Sequence, residues 1–385
     1  MNSSISSSEK DPRRIAGAWL SLFFCAFLVL LIVFIVFNAV LLSRPKARFD
    51  VEERRLTACK IFSPDRYDMV LSGSSRINFG IDPASMQPFL PGMRIYNCAM
   101  FGGAVNREIL DYLEDRKIDW NAPGDKIVLL EFSPRAMFSC LRKNGSYRSM
   151  LSKSPDEIRS LLNYSAARRF SLDNLFLPVS RERWNMRGAP DPGTVPYCHV
   201  DTGWYEVVNI SEDPRDGLEK RLRNGKRDAL YPERYVIDRS LEEILERTRE
   251  WRARGVLVFG VEPPIAPELR QLEERLSRYD RSEAVSRFEK AGGIFIPVTG
   301  KYQVTLGGSH LDSSEAKKFS VEIAEKIARC LQEAHRGGQG HGRHRRAYPA
   351  EGRGTAGTDR GPGGRGRSPH DGAGSGIPDR GQQDR

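Results

Sequence analysis

Hydrophobic residues fall along this chain in three regimes. From Ile15 to about Leu42 they form a charge-free run of mostly Leu, Phe, Val, Ile and Ala. A bilayer core of about 30 Å needs about 20 helical residues, so the run is long enough to span it. A cleaved signal peptide has an apolar region of only about 7–15 residues, whereas here Asn38-Ala39-Val40-Leu41-Leu42-Ser43-Arg44 carries the run onward. The pattern predicts an uncleaved transmembrane anchor over residues 15–43, with a polar segment 1–14 before it and a linker 44–61 after it.

Between Phe62 and Glu333 the apolar residues gather into short runs. Five of them read as strands: Tyr67–Leu71, Arg94–Cys98, Lys126–Phe132, Val256–Val261 and Gly293–Val298. None alternates strictly, which suits strands buried on both faces. Helical patterns follow at Val105–Leu113, Pro267–Tyr279 and Ser282–Lys290. Strands alternating with helices predict an α/β fold, a five-stranded parallel sheet covered on both faces, over residues 62–335. The last helix opens with Asp312-Ser313-Ser314-Glu315, a capping-box pattern, and continues with Ala316, Phe319, Ile323, Ile327 and Leu331 at helical spacing. Residues 134–242 form an insertion without strand-helix rhythm, rich in aromatics such as Tyr147, Tyr164, Trp184, Trp204 and Tyr205. Such segments either shape a substrate pocket or pack on the body.

The third regime, residues 336–385, is Gly, Arg, Pro, Asp and Gln with almost no aliphatic side chains, and is expected to be disordered. It holds ten basic and five acidic residues, half of the formal net charge of +10, so the basic balance says little about the folded part. Its one aromatic, Tyr348, makes it a poor stacking platform, and nucleic acid is not the favoured partner. Lys10, Arg13 and Arg14 before the anchor are matched by Arg44, Lys46 and Arg48 after it, so charge alone leaves its orientation open.

The six cysteines are scattered without a Cys-x-x-Cys pair, which removes zinc and thioredoxin-type chemistry. No Gly-Lys-Ser/Thr loop or dinucleotide fingerprint occurs. No metal or cofactor is expected.

Candidate chemistry sits where strands end. Asp68-Met69-Val70-Leu71-Ser72-Gly73-Ser74-Ser75-Arg76 runs from a strand into serines, at the edge where open α/β sheets bind ligands. Ser75 is a candidate nucleophile or, equally in kind, a helix-capping serine. Of six histidines, His335, His341, His344 and His370 fall in or beside the tail, leaving His199 in the insertion and His310 in Gly307-Gly308-Ser309-His310. His199 reads as structural, and His310 as the candidate base. In Asn97-Cys98-Ala99-Met100-Phe101-Gly102-Gly103 the glycines let backbone approach a reacting oxygen, so the amides of Gly102 and Ser75 are candidates for an oxyanion hole. Arg76 and Asn97 are candidate substrate contacts, with a salt bridge from Arg76 to Asp82 or Glu131 as the alternative.

These blocks together resemble the SGNH (GDSL-like) hydrolase superfamily over residues 65–333. The resemblance implies a three-layer, flavodoxin-like α/β/α fold with Ser75 as nucleophile, Gly102 in the oxyanion hole and His310 as base. Gly-Ser-Ser-Arg followed by Phe79-Gly80-Ile81-Asp82-Pro83 is similar to membrane-anchored members that act on cell-envelope polymers. That likeness implies a single-pass protein of a bacterial-type plasma membrane with its domain outside. It also implies a glycan substrate, ester hydrolysis or O-acyl transfer, and an integral-membrane acyl-transfer partner. The family's orienting aspartate would fall at Gly307, and its third-block asparagine is missing from Glu131-Phe132-Ser133-Pro134-Arg135. Asp312 is the substitute acid to test, although a helix cap accounts for it too. Both departures admit a second expectation, a glycan-binding or scaffolding subunit that keeps the fold without turnover.

Overall fold

The computed structural model describes residues 12–43, 45–138, 145–163, 194–209, 218–219, 222 and 234–339. Helix α1 spans Pro12–Ser43, and α2 follows at Pro45–Phe62 after Arg44. Within α1 the 18 residues Trp19–Val36 have a mean hydropathy of 3.0 and none is buried, so this helix is long and apolar enough to cross a membrane.

The α/β core begins with β1 (Met69–Ser72), α3 (Ser75–Gly80), α4 (Pro83–Met86) and β2 (Ile95–Asn97). Next come α5 (Arg107–Tyr112), extended by a π-turn over Leu113–Lys117, then β3 (Lys126–Glu131) and α6 (Pro134–Phe138). The insertion contributes α7 (Gly145–Leu151), α8 (Pro155–Leu162) and a hairpin of β4 (Thr194–His199) and β5 (Trp204–Asn209). Its Tyr164 and Trp184 lie outside the described residues. The chain then forms α9 (Arg234–Ala253), β6 (Val256–Val261), α10 (Pro267–Ser277), α11 (Arg281–Lys290) and β7 (Ile294–Ile296). A short ladder of β8 (Val304–Thr305) and β9 (His310–Leu311) leads into α12 (Ser313–Gln339). The tail beyond Gln339 lies outside the described residues.

All five expected strands are present and pair in parallel, in the order β2-β1-β3-β6-β7. Growth of the sheet reverses direction between β1 and β3, a switch point where the strand ends leave a crevice. Successive residues face opposite layers. Val70, Val128, Leu130 and Val258 pack with Ala58, Ile61, Ile244, Trp251 and Phe288. Met69, Leu71, Ile127, Leu129 and Val261 pack with Ile77, Phe319, Ile323 and Ile327. Both faces are therefore covered, which is why the strands carry continuous apolar runs instead of alternation.

Two segments differ from the sequence reading. Residues 44–61, expected to be a linker, are helical over Pro45–Phe62, and Leu56, Ala58, Cys59, Lys60 and Ile61 are buried. The insertion is also partly regular, because its helices are too short to show a period and its hairpin gains its partners from the body. Asn97 donates its backbone N–H to Thr202 O (2.9 Å), and Trp204 Nε1 donates to Phe79 O (2.9 Å), docking the hairpin beside β2. Among the described residues Cys25, Cys59, Cys98, Cys198 and Cys330 are free thiols.

Candidate active site

Strand β1 ends in a turn that decides what each serine does. Ser74 is the N-cap of α3, its Oγ accepting from Arg76 N (3.2 Å). Its own amide donates to Glu131 Oε2 (2.6 Å), and Glu131 is completely buried at the end of β3. The capping role thus falls to Ser74, one residue earlier than the ambiguity at Ser75 supposed. Ser75 occupies the first helical position, where a backbone N–H has no partner within the helix. Its hydroxyl is left for other work.

That hydroxyl meets His310. The Nε2 of His310 lies 2.8 Å from Ser75 Oγ, across 235 positions of sequence. His310 is carried by β9, whose ladder with β8 fixes the turn through Gly307 and Gly308. Its Nδ1 is 2.9 Å from Ser309 Oγ, and Ser309 is buried. If Nε2 is to accept the Ser75 proton, Nδ1 must carry hydrogen and donate it to Ser309. The imidazole is also packed on Phe79, centroid to centroid 4.7 Å, with Phe101 and Tyr205 completing the aromatic wall. Of the two roles open to the insertion, packing on the body is the one these residues take: Tyr205 and Trp204 are both buried against it.

Asp312, the substitute acid of the sequence reading, is turned away into helix capping. Its Oδ1 accepts from Glu315 N (3.0 Å) and Ser314 Oγ (3.1 Å). The capping box is half formed, since Glu315 Oε2 accepts from Gln303 N (3.2 Å) and Oε1 from Lys318.

The loop after β2 lies against the nucleophile turn. Met100 N donates to Gly73 O (3.3 Å), and a β-carbon at Gly103 would stand 2.7 Å from that same oxygen, so only glycine permits the approach. Gly102 beside it has φ +59°, and a β-carbon there would meet nothing within 4 Å. The space beside its α-carbon is therefore open, next to the turn that carries Ser75.

Arg76 and Asn97 are both engaged inside the protein. Arg76 forms a two-pronged buried ion pair with Glu273 of α10, including Nη1 to Oε2 at 3.0 Å. The alternative partners are occupied elsewhere: Asp82 caps α4 through Ala84 N and Ser85 N, and Glu131 holds Ser74. Asn97 is fully buried, its Nδ2 donating to Ile77 O and Ile81 O (both 2.9 Å) and its Oδ1 accepting from Ala99 N (3.1 Å). It ties α3 to the loop and offers nothing to a ligand. His199 pairs with Glu206 (2.8 Å) and stacks on Trp204, the structural part expected of it. At the end of β6, burial raises the carboxyl of Glu262 despite Arg270 at 3.2 Å and Arg281 at 2.7 Å.

Sequence reasoning missed Glu273 altogether, and missed the parts taken by Glu131 on Ser74 N and by Ser309 on His310 Nδ1. Ser309 adjoins the candidate base and was visible, but a serine there carries no signal until its hydroxyl is seen on Nδ1. Among the described residues no cluster of three His, Cys, Asp or Glu side chains is placed to hold a metal. In comparisons with known proteins the chain matches no family model, no curated protein and no solved structure.

Proposed function

We propose that this chain is a membrane-anchored serine esterase or O-acyltransferase of the SGNH kind, acting on a glycan at the cell surface. The observation that carries the reading is the contact of Ser75 Oγ with His310 Nε2 at 2.8 Å, with Ser309 on the far ring nitrogen. Sheet order, switch point and chain order of serine before histidine fit a flavodoxin-like SGNH fold.

In this reading Ser75 Oγ bonds to the acyl carbon of an ester while its proton passes to His310 Nε2. The amides of Ser75 and Gly102 receive the oxyanion. As the ester C–O bond breaks, His310 returns the proton to the departing alcohol and leaves an acyl-Ser75. Water or a sugar hydroxyl then attacks that acyl carbon, gives its proton to Nε2, and Ser75 regains it as the acyl–oxygen bond breaks. The apolar helix α1 holds the enzyme at a plasma membrane of bacterial type, domain outward, beside an integral-membrane partner that supplies the acyl group.

A second reading has one observation in its favour. His310 Nδ1 faces a hydroxyl where a carboxylate would stabilise the imidazolium. A binding or scaffolding subunit without turnover would tolerate that exchange. Labelling the full chain in detergent with a fluorophosphonate decides between them. Labelling abolished by Ser75→Ala and strongly slowed by His310→Ala supports the enzyme; a folded parent that does not label removes the chemistry and leaves the binding subunit.

A further inference from the structure

Helix α2 sends a lysine into the middle of the site's scaffolding. Lys60, in its last turn, is 1 % exposed, and its ammonium lies between two segments far apart in sequence. Nζ donates to Asn78 Oδ1 (2.6 Å) and to the carbonyl of Ala99. Asn78 sits in α3 three residues after Ser75, and Ala99 sits in the loop three residues before Gly102. The backbone carbonyl of Lys60 is held in turn by the hydroxyl of Tyr112 from α5.

Packing does not explain this residue. A methionine would fill nearly the same volume without placing an ammonium in the interior. Among the described residues no carboxylate pairs with Lys60, and burial brings its pKa down to about 7. What the lysine adds is two directed donors, and these reach the two segments that carry the nucleophile and the oxyanion amide. A neutral amine still has two N–H groups, so both bonds outlast its deprotonation.

We propose that Lys60 is the positioning residue that sets the oxyanion loop against the nucleophile helix, making the helix that follows the membrane anchor an integral part of the site. This rests on the Ser75–His310 reading. It also gives the anchor a structural consequence: a single residue of sequence separates α1 from α2, and Lys60 lies about 22 Å along α2 from Pro45.

The test compares the full-length parent in detergent with Lys60→Met, Asn78→Ala and the double variant. Hydrogen exchange is read at residues 75–81 and 98–104, with strands 126–131 and 256–261 as the reference. Fluorophosphonate labelling is resolved into its first-order constant and its half-saturating probe concentration. Lys60→Met is expected to speed exchange about tenfold at both segments and leave the strands protected, as for a lost buried hydrogen bond. The first-order labelling constant should fall about tenfold with half-saturation within about twofold, and the double variant should lose less than the singles combined. Unchanged exchange at both segments, or exchange raised equally in the strands, overturns the proposal. If the parent does not label, the Ser75 chemistry fails while exchange still decides the role of Lys60. Should Lys60→Met not fold, Asn78→Ala carries the same readouts.

Discussion

What orients His310 can be measured by separating two neighbouring side chains. Ser309 Oγ stands 2.9 Å from Nδ1, whereas the carboxylate of Asp312 is spent on Glu315 N and Ser314 Oγ. A neutral hydrogen bond contributes about 0.5–1.5 kcal/mol net, so Ser309→Ala should slow the labelling of Ser75 by about 2- to 13-fold. Removal of an N-cap costs about 1 kcal/mol of stability, so Asp312→Ala should lower the unfolding midpoint of the domain while labelling stays within about twofold. The assay is the second-order rate of fluorophosphonate labelling across pH 5–9, paired with chemical denaturation of each variant. A ring whose Nδ1–H donates to Ser309 keeps Nε2 ready to accept the Ser75 proton, so Ser309→Ala should reduce the plateau rate at high pH. A large loss of labelling in Asp312→Ala, with Ser309→Ala labelling at the parental rate, would refute the assignment and return the orienting role to Asp312.

Other outcomes follow from the same contacts. Gly103→Ala puts a β-carbon 2.7 Å from the backbone oxygen of Gly73, so the loop must move; labelling should drop about tenfold or more, on the scale expected when an oxyanion donor is displaced, with a modest loss of stability. Glu273→Ala removes the two-pronged partner of the buried guanidinium of Arg76 and should destabilise the domain by up to about 3–5 kcal/mol, whereas the paired replacement of Arg76 and Glu273 by apolar residues should recover most of that, both read from denaturant midpoints. Glu322 is pushed up by burial, but hydrogen bonds from Lys326, Tyr302 and Thr299 outweigh this and bring its pKa to about 2. An unfolded glutamate titrates near 4.5, so this stabilisation is complete above about pH 4.5 and is lost as pH falls toward 2. After allowance for solvent screening, Glu322→Gln should cost about 1–2 kcal/mol at pH 7, and the gap from the parent should close over that acid window. Deleting residues 12–43 should move the chain from the membrane fraction to the soluble fraction on carbonate extraction; retention on the membrane would mean that another surface binds it.

The sequence determined the features that repeat or persist locally. Five buried strands, the helices after β6, the capped last helix and the apolar helix all rest on runs of side chains whose burial follows from composition and period. Their strand bounds agree with the structure to within a few residues, because a sheet covered on both faces leaves no place for polar positions inside a strand. The pairing of a serine near the start with a histidine near the end was legible as residues, since the strand–Gly–Ser turns stand out from their surroundings. The sequence did not show α2 as part of the core. Its stretch Lys46–Arg55 is rich in charge, and Lys60 reads as a surface residue until two acceptors are brought to it. Nor could it assign Ser74 to the cap and Ser75 to the contact with His310, since both serines fit either position. Tertiary structure alone decided that Arg76 meets Glu273, 197 positions away, and that Ser309 and not Asp312 faces the imidazole. Directed hydrogen bonds depend on where distant segments meet, and that is settled by packing of the whole sheet. Local pattern fixes which residues are buried, whereas which polar groups they find there depends on chain segments that become neighbours only in the fold.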